Sequence, residues 1–173
     1  ILSKKLGYTC GPAGIPPPAP GKYVVRPIVN LKSMSVGARI QYLDSDSIPD
    51  GYFWCERFAG RHMSFDYHWG KQTLAVEGHK PDDTFTKWDH WVKVSDRIRL
   101  PECVREFGKK YEWINCEYIG GKLIEMHFRH NEDFEGSVSH FIPVWEGEST
   151  IPPDGYTYKA YPDIHGRIGA YIK

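Results

Sequence analysis

The chain has 173 residues, and its 22 Lys and Arg are balanced by 22 Asp and Glu, so the formal net charge is zero. A balanced charge argues against broad electrostatic binding to nucleic acid or to an anionic membrane. No apolar run approaches the roughly 20 residues of a membrane span, so we expect no membrane partner. The four cysteines are scattered without a Cys-x-x-Cys pair, which indicates reduced thiols and a cytoplasmic location.

The first half of the chain predicts strands separated by turns. The β-branched segment 23–29 predicts a strand, residues 30–39 predict a polar loop, and residues 51–58 predict a buried strand. Segments 62–67 and 72–78 alternate in polarity, which predicts an antiparallel pair that turns around Trp69 and Gly70.

The second half predicts one helix and a hairpin. Residues 101–110 predict a helix because proline suits the first helical turn. Residues 111–119 and 122–129 predict two strands, and the tail from 149 to 173 is expected to wrap irregularly with short strands. We therefore expect an α+β fold of antiparallel sheets with few helices, in one domain with a first lobe at about 20–60 and a second at about 61–148.

The predicted hairpin separates apolar from polar side chains. In its second strand Ile124, Met126 and Phe128 share one parity, whereas Glu125, His127 and Arg129 share the other. A three-residue loop, 120–122, would bring the apolar faces of both strands together and place Glu117 opposite Glu125.

Opposed carboxylates repel unless something compensates their charge. A divalent cation would compensate it, because Mg²⁺ is usually held by one or two carboxylates, water and substrate phosphates. The solvated outer face of an antiparallel sheet would show a similar mixture of charges. Both interpretations stay open on the hairpin residues alone.

The hairpin resembles the metal-binding end of the ATP-grasp enzymes. That family shows an acidic residue on one strand and Glu-x-Asn-x-Arg on the next; here they match Glu117 and the segment Glu125-Met-His-Phe-Arg129, with His127 in place of Asn. The resemblance implies that Glu117, Glu125 and His127 hold Mg²⁺, or Mn²⁺, and that Arg129 contacts the transferred phosphoryl group.

Upstream segments follow the order of the same family. The strand that ends in Arg26-Pro27 resembles one that ends in Lys-Pro, so Arg26 is expected to meet ATP phosphates. Residues 30–38 resemble the loop that closes over the phosphates. The implied nucleotide-binding residues are Lys32, Ser33 and Ser35 in that loop, Glu56, Arg57 and Phe58 at the adenine, and His62 at the ribose.

The resemblance implies two β-rich lobes with an ATP cleft between them and a Mg²⁺-ATP-dependent ligase. Such an enzyme activates a small-molecule or peptide carboxylate as an acyl phosphate for attack by an amine or a thiol. The family normally carries a further N-terminal domain, so we expect either a minimal or truncated form or a partner subunit that supplies it.

Two alternatives come from other classes of protein. In the first alternative, the chain is a non-catalytic ATP-grasp relative that serves as a nucleotide-binding or interaction module. The departures from the family pattern at Arg26 and His127 favour this alternative. In the second, His62, Asp66 and His68 share one face of a strand and hold a metal in a different β-fold.

Overall fold

A computed structural model describes residues 2–29, 35–44, 48–80, 85 and 87–173. The chain forms two compact units, Ile1–Ala59 with Asp82–Lys87, and Gly60–Pro81 with Trp88–Lys173. Each unit contains one antiparallel sheet, so the prediction of a β-rich fold with antiparallel sheets and few helices is confirmed.

The first unit is built on a four-stranded sheet. Its elements are α1 (Leu2–Lys5), β1 (Cys10–Pro12), β2 (Gly21–Pro27), β3 (Arg39–Leu43) and β4 (Tyr52–Glu56). The strands lie in the order β1-β4-β2-β3. Alternation along the strands puts Val25, Leu43 and Trp54 on one face of the sheet, where they form a small core together with Ile48 from the segment between β3 and β4. The indole Nε1 of Trp54 donates to the carbonyl of Ile15 at 2.7 Å, which fixes the proline-rich segment against this core.

The second unit is built on an eight-stranded sheet. Its elements are β5 (His62–His68), β6 (Lys71–His79), β7 (His90–Lys93), α2 (Glu102–Lys110), β8 (Trp113–Ile119), β9 (Lys122–His127), a 3₁₀ turn (Glu132–Phe134), β10 (His140–Trp145), β11 (Thr157–Ile164) and β12 (Arg167–Ile172). The strands lie in the order β11-β12-β10-β7-β6-β5-β8-β9.

Both faces of this sheet are covered at its centre. Five consecutive residues of β5, Met63 to Tyr67, are buried, as expected of a strand with layers on either side. One face carries a core of Leu74, Val76, Phe134, Phe141 and Ala170. Near α2, Gly108 approaches Gly70 so closely that a Cβ atom on Gly108 would lie 3.1 Å from the Gly70 Cα.

Several predicted elements are confirmed, with boundaries moved by one or two residues. They are the strand at 23–29 as β2, the strand at 51–58 as β4, the pair at 62–67 and 72–78 as β5 and β6, the helix at 101–110 as α2, and the strands at 111–119 and 122–129 as β8 and β9. The turn at Trp69 and Gly70 has positive φ at both residues, 48° and 75°, as a tight hairpin turn requires.

The tail at 149–173 contains strands, as expected, but it is more regular than predicted. β11 and β12 pair with each other, and β12 pairs with β10. The prolines and glycines that suggested irregular chain lie largely before and between these strands, where they form turns. The short strands β3, β7 and β10 were not predicted, because each has few residues and no regular alternation. No described helix is both long and apolar enough to cross a membrane.

Candidate metal centre

The candidate site lies on the hairpin of β8 and β9. Glu117 pairs directly with Glu125, as the hydrophobic pattern predicted, and Asn115 pairs with His127. The side chains of Glu117, Glu125 and His127 therefore project from one face of the hairpin.

The route to this register differs from the prediction of a three-residue loop. Ile119 pairs with Lys122, so the turn contains two residues, Gly120 and Gly121. Both glycines have positive φ, 55° and 79°, which a two-residue turn of this hand demands. The extra residue is Ile124 of β9, which bulges opposite Glu117 and Tyr118 and so restores the pairing of the two carboxylates.

The bulge also changes which side chain enters the core. Leu123 pairs with Tyr118, and both are 1% exposed. Ile124 and Met126 are only partly buried and Phe128 is exposed, so the apolar parity expected of this strand does not define its buried side. A bulge shifts parity locally, and nothing in the sequence marks where it lies.

Three ligand atoms converge on the polar face of the hairpin. The His127 Nε2 lies 4.0 Å from the Glu117 Oε1 and 3.8 Å from the Glu125 Oε1. Two atoms bound to one cation at about 2.1 Å can lie at most about 4.2 Å apart, so one cation could reach all three with small rotations. Among the described residues, this is the one group of three His, Cys, Asp or Glu side chains that converges in this way.

His62 contacts the same group from the neighbouring strand β5. Its Nε2 lies 2.9 Å from the Glu117 Oε2, and because an ionised carboxylate only accepts, the imidazole donates this bond. Sequence reasoning placed His62 at a ribose, whereas the structure engages its Nε2 with Glu117. A ribose hydroxyl would have to compete for that nitrogen. The contact joins residues 55 positions apart, and only the neighbouring placement of β5 and β8 reveals it.

Two tryptophans hold the His62 ring. Trp88 and Trp91 meet the imidazole edge-on, with centroids 4.6 and 5.7 Å away. Gly78, which pairs with His62 across β5 and β6, leaves room for them: a Cβ atom there would lie 2.6 Å from Trp88 and 2.8 Å from Trp91. The imidazole Nδ1 is buried with no hydrogen-bond partner. Packing therefore fixes the ring with its Nε2 toward Glu117.

A buried polar network lies beside the candidate site, on the same face of β5 and β8. The Asn115 Nδ2 donates to the Ser64 Oγ at 2.7 Å and to the Asp66 Oδ1 at 2.8 Å, and all three residues are 4% exposed. The other oxygen of Asp66 accepts from the Asn131 backbone N–H at 3.0 Å. Burial raises the pKa of Asp66, and the hydrogen bonds from Asn131 and Asn115 oppose that shift.

This network ties down the segment that carries Arg129. The segment leaves β9 and enters the 3₁₀ turn. At the start of this turn the Asp133 N–H donates to the Asn131 Oδ1 at 3.1 Å. Arg129 itself is exposed, and its Nη1 donates to the His130 carbonyl at 3.1 Å. The guanidinium therefore lies at the surface, two residues beyond His127.

The alternative metal set of His62, Asp66 and His68 does not converge. Side chains two apart on one face of a strand are separated by about 7 Å, and each of these three has a different partner. His62 bonds to Glu117 and Asp66 to Asn115, while His68 lies 3.4 Å from Glu112.

The tip of the hairpin is anchored by the residues that precede β5. Gly60 has φ of +119°, and a Cβ atom there would lie 2.8 Å from the Gly120 Cα. The Gly120 N–H donates to the Arg61 carbonyl at 3.0 Å. Only glycine accommodates both the positive φ and the close approach to Gly120. The contact holds the turn that connects β8, which carries Glu117, to β9, which carries Glu125.

Two of the candidate nucleotide-binding residues, Arg26 and Glu56, lie on neighbouring strands of the first unit. Arg26 pairs with Phe53 and Glu56 with Tyr23, an odd separation along β2 and β4 that puts their side chains on opposite faces of the sheet. The Glu56 Oε1 accepts from the Thr9 backbone N–H at 2.8 Å. The sheet therefore does not bring Arg26 and Glu56 together on one face.

The remaining predicted nucleotide residues lie in loops. The Phe58 ring meets Tyr8 edge-on at 4.8 Å, and Arg57 is exposed. Ser35 has φ of 54°, and its carbonyl accepts from the Ala38 N–H at 2.9 Å in a turn. Lys32 and Ser33 lie outside the described residues, so their expected contact with phosphates stays a prediction.

No family model matches the chain, and no curated protein matches it in sequence. Two carboxylates and one imidazole on rigid strands can hold a divalent cation, and a cation held this way leaves positions for phosphate oxygens and water.

Proposed function

We propose that the chain is an ATP-grasp-like ligase in which Glu117, Glu125 and His127 hold the divalent cation of a bound ATP. The observation that supports this proposal is the direct cross-strand pairing of Glu117 with Glu125, with His127 within 4.0 Å of both.

The donor set suits a divalent cation that tolerates one nitrogen ligand. Mg²⁺ prefers oxygen alone, whereas Mn²⁺ accepts imidazole more readily. His62 adds the outer support typical of metal sites, because its N–H holds one oxygen of a metal-binding carboxylate in place. When bound, the cation would neutralise phosphate charge and orient the γ-phosphoryl group.

The proposed reaction needs no protein nucleophile. A carboxylate oxygen of the substrate attacks the γ-phosphorus of ATP, the bond to the β-phosphate oxygen breaks, and ADP leaves. An amine or thiol then attacks the acyl carbon of the acyl phosphate, and inorganic phosphate leaves. Arg129, on the segment that follows β9, would pair with the transferred phosphoryl oxygens. Rate acceleration would come from positioning and charge neutralisation.

Trapping of the acyl phosphate tests the proposal. The native chain is incubated with ATP, Mg²⁺ or Mn²⁺, a panel of amino acids, dicarboxylates and short peptides, and hydroxylamine as the attacking amine. We expect ADP and a hydroxamate to form together, only when a particular carboxylate is present. Glu125→Gln keeps the shape of the side chain but removes its charge, and should lower the rate about 100-fold or more.

A matched control is Glu112→Gln. Glu112 is also a glutamate beside a histidine, 3.4 Å from His68, but it belongs to no converging group of three ligands. Its replacement should leave the rate unchanged. Equal losses in both variants would contradict the assignment of Glu125.

The second candidate function is a nucleotide-binding module without turnover. His127 favours it, because an imidazole replaces the oxygen donor that would help to hold a second Mg²⁺. Metal-dependent ATP binding without ADP formation, over the whole panel of carboxylates, would support this candidate over the ligase. Absence of ATP binding with either metal would contradict both.

A further inference from the structure

Two of the four cysteines face each other across neighbouring strands of the first unit. Cys10 on β1 pairs with Cys55 on β4 in antiparallel register. Both are partly buried and both are free thiols. They are 45 positions apart, so their spacing gave no sign of this contact.

The hydrogen bonds beside the pair define its type. In an antiparallel ladder, hydrogen-bonded pairs alternate with pairs that are not hydrogen-bonded. The adjacent pair is Thr9 with Glu56, where the Glu56 N–H donates to the Thr9 carbonyl at 2.9 Å. Cys10 and Cys55 therefore occupy a position that is not hydrogen-bonded.

The hydrogen bonds at the other end of β1 give the same alternation of pairs that are and are not hydrogen-bonded. The Ala13 N–H donates to the Tyr52 carbonyl at 3.2 Å, three positions along the ladder from the cysteines. Pro12, which has no N–H to donate, pairs with Phe53 at the next position that is not hydrogen-bonded. Both ends of the strand thus agree on the placement of the cysteine pair.

This type of pair brings side chains closest together. Its Cα atoms lie about 4.5 Å apart, compared with about 5.5 Å in a hydrogen-bonded pair. Disulfides span Cα separations of about 4.4–6.8 Å, so a separation of about 4.5 Å lies within this range, near its lower limit. We propose that Cys10 and Cys55 form a thiol pair that is oxidised reversibly to a disulfide between β1 and β4.

The oxidant is a small disulfide of the glutathione class. One protein thiolate attacks a sulfur of that disulfide, its S–S bond breaks, and one small thiol leaves. The second protein thiolate attacks the protein sulfur of the mixed disulfide and releases the other small thiol. Two protein thiols are oxidised, the small disulfide is reduced to two thiols, and each thiol proton passes through solvent to a released thiolate.

The surroundings of Cys55 affect how readily its thiol ionises and reacts. Burial is the main cause that raises the pKa of Cys55 to about 11. The positive charge of Arg26 opposes this shift, and the nearby Cys10 adds to it. Little of Cys55 is thiolate near neutral pH, so the step in which the Cys55 sulfur attacks should become faster as pH rises.

The other two cysteines serve as internal controls. Cys116 lies in the second unit with no exposed surface, and burial raises its pKa to about 12. Its ladder partners are Phe65 and Met126, not a cysteine. Cys103 lies in α2. Neither has the cross-strand cysteine neighbour that Cys10 and Cys55 share.

The test is oxidation of the full chain with oxidised glutathione, followed by alkylation and peptide mapping without reductant. We expect two of the four thiols to disappear, a peptide pair linked through Cys10 and Cys55, no change in mass from attached glutathione, and reversal by dithiothreitol. Cys103→Ser should behave as the native chain. Cys10→Ser and Cys55→Ser should each stop at a glutathione adduct or remain reduced.

Thermal unfolding provides a second readout on the native sequence. The cross-link closes a long loop in the unfolded chain, so the oxidised form should unfold at a higher temperature than the reduced form. Separate glutathione adducts on both cysteines of the native chain, linkage through Cys103, a linked dimer, or four unreacted thiols would each overturn the proposal.

Discussion

His127 is the residue that sets which cation the candidate site prefers. Replacing it with asparagine would convert a mixed donor set of two carboxylates and one imidazole into an all-oxygen set. We expect His127→Asn to shift the ratio of Mg²⁺ to Mn²⁺ affinity toward Mg²⁺ by on the order of tenfold, which corresponds to about 1.4 kcal/mol. Calorimetric titration of each metal in the presence of ATP measures that ratio.

His68→Asn is the matched control for this change. It removes an imidazole that lies near Glu112, outside the converging group, and should leave the ratio as it is. A ratio that stays the same in His127→Asn would show that His127 does not bind the cation.

Single residues also show how far the sequence could predict the site. Glu117 and Glu125 follow from hydrophobic parity, because burying the apolar face fixes which carboxylates share the other one. The contact of His62 with Glu117 does not follow from any local pattern. It depends on β5 lying next to β8, a pairing between segments about 50 residues apart.

At the scale of elements, the hairpin depends on the segment that precedes β5. Gly60→Ala would place a methyl group 2.8 Å from the Gly120 Cα and force an L residue to φ of +119°. We expect a loss of about 1–3 kcal/mol of unfolding free energy from the strained backbone, with more from the clash. Urea denaturation measures the change.

Gly121→Ala separates strain from clash. Gly121 also has positive φ, +79°, but a Cβ atom there would meet nothing within 4 Å. It should therefore cost less than Gly60→Ala. Equal costs would mean that the approach of Gly60 to the hairpin tip contributes nothing.

A cluster of histidines joins β6, β7 and β10. His79 stacks on His90 at 4.4 Å, and His90 meets His140 edge-on at 5.2 Å. Burial, and then the nearby His79, lower the pKa of His90, while Asp89 opposes the shift. Burial, His90, Lys173 and His79 lower the pKa of His140, whose Nδ1 also contacts the Tyr156 hydroxyl.

These lowered pKa values make stability depend on pH with a definite sign. The unfolded chain takes up protons near the ordinary histidine pKa of about 6.5, before the folded chain does. The contribution of neutral His90 and His140 is therefore complete above about pH 6.5. It is lost as the pH falls toward their lowered values, so unfolding free energy should decrease over that window.

Urea denaturation at several pH values from 7.5 to 5 tests this dependence. His90→Gln should lose less unfolding free energy on acidification than the native chain, whereas His68→Gln, whose imidazole is 41% exposed, should follow the native chain. A native chain that gains stability on acidification through this window would contradict the sign.

At the scale of the whole molecule, the sequence predicted the class of fold better than the content of its sheets. Long alternating segments such as β5 and β6 carry a clear period, and α2 has a proline at its start. β7 has four residues, and β11 and β12 lie in a stretch rich in proline and glycine. Their assignment depends on pairing with distant strands, which local composition does not encode.

We propose that the hairpin of β8 and β9 holds the metal of a metal-nucleotide complex. Thermal unfolding of the native chain with ATP alone, with Mg²⁺ or Mn²⁺ alone, and with both tests it most directly, alongside Glu125→Gln and the control Glu112→Gln. A ligand at about 100 times its Kd stabilises by about 2.7 kcal/mol, which for a chain of this size raises Tm by about 5 °C or more. We expect a shift that requires both ATP and metal, persists in Glu112→Gln and vanishes in Glu125→Gln. A chain that shows no shift, or one that is independent of metal and unchanged in Glu125→Gln, would contradict it.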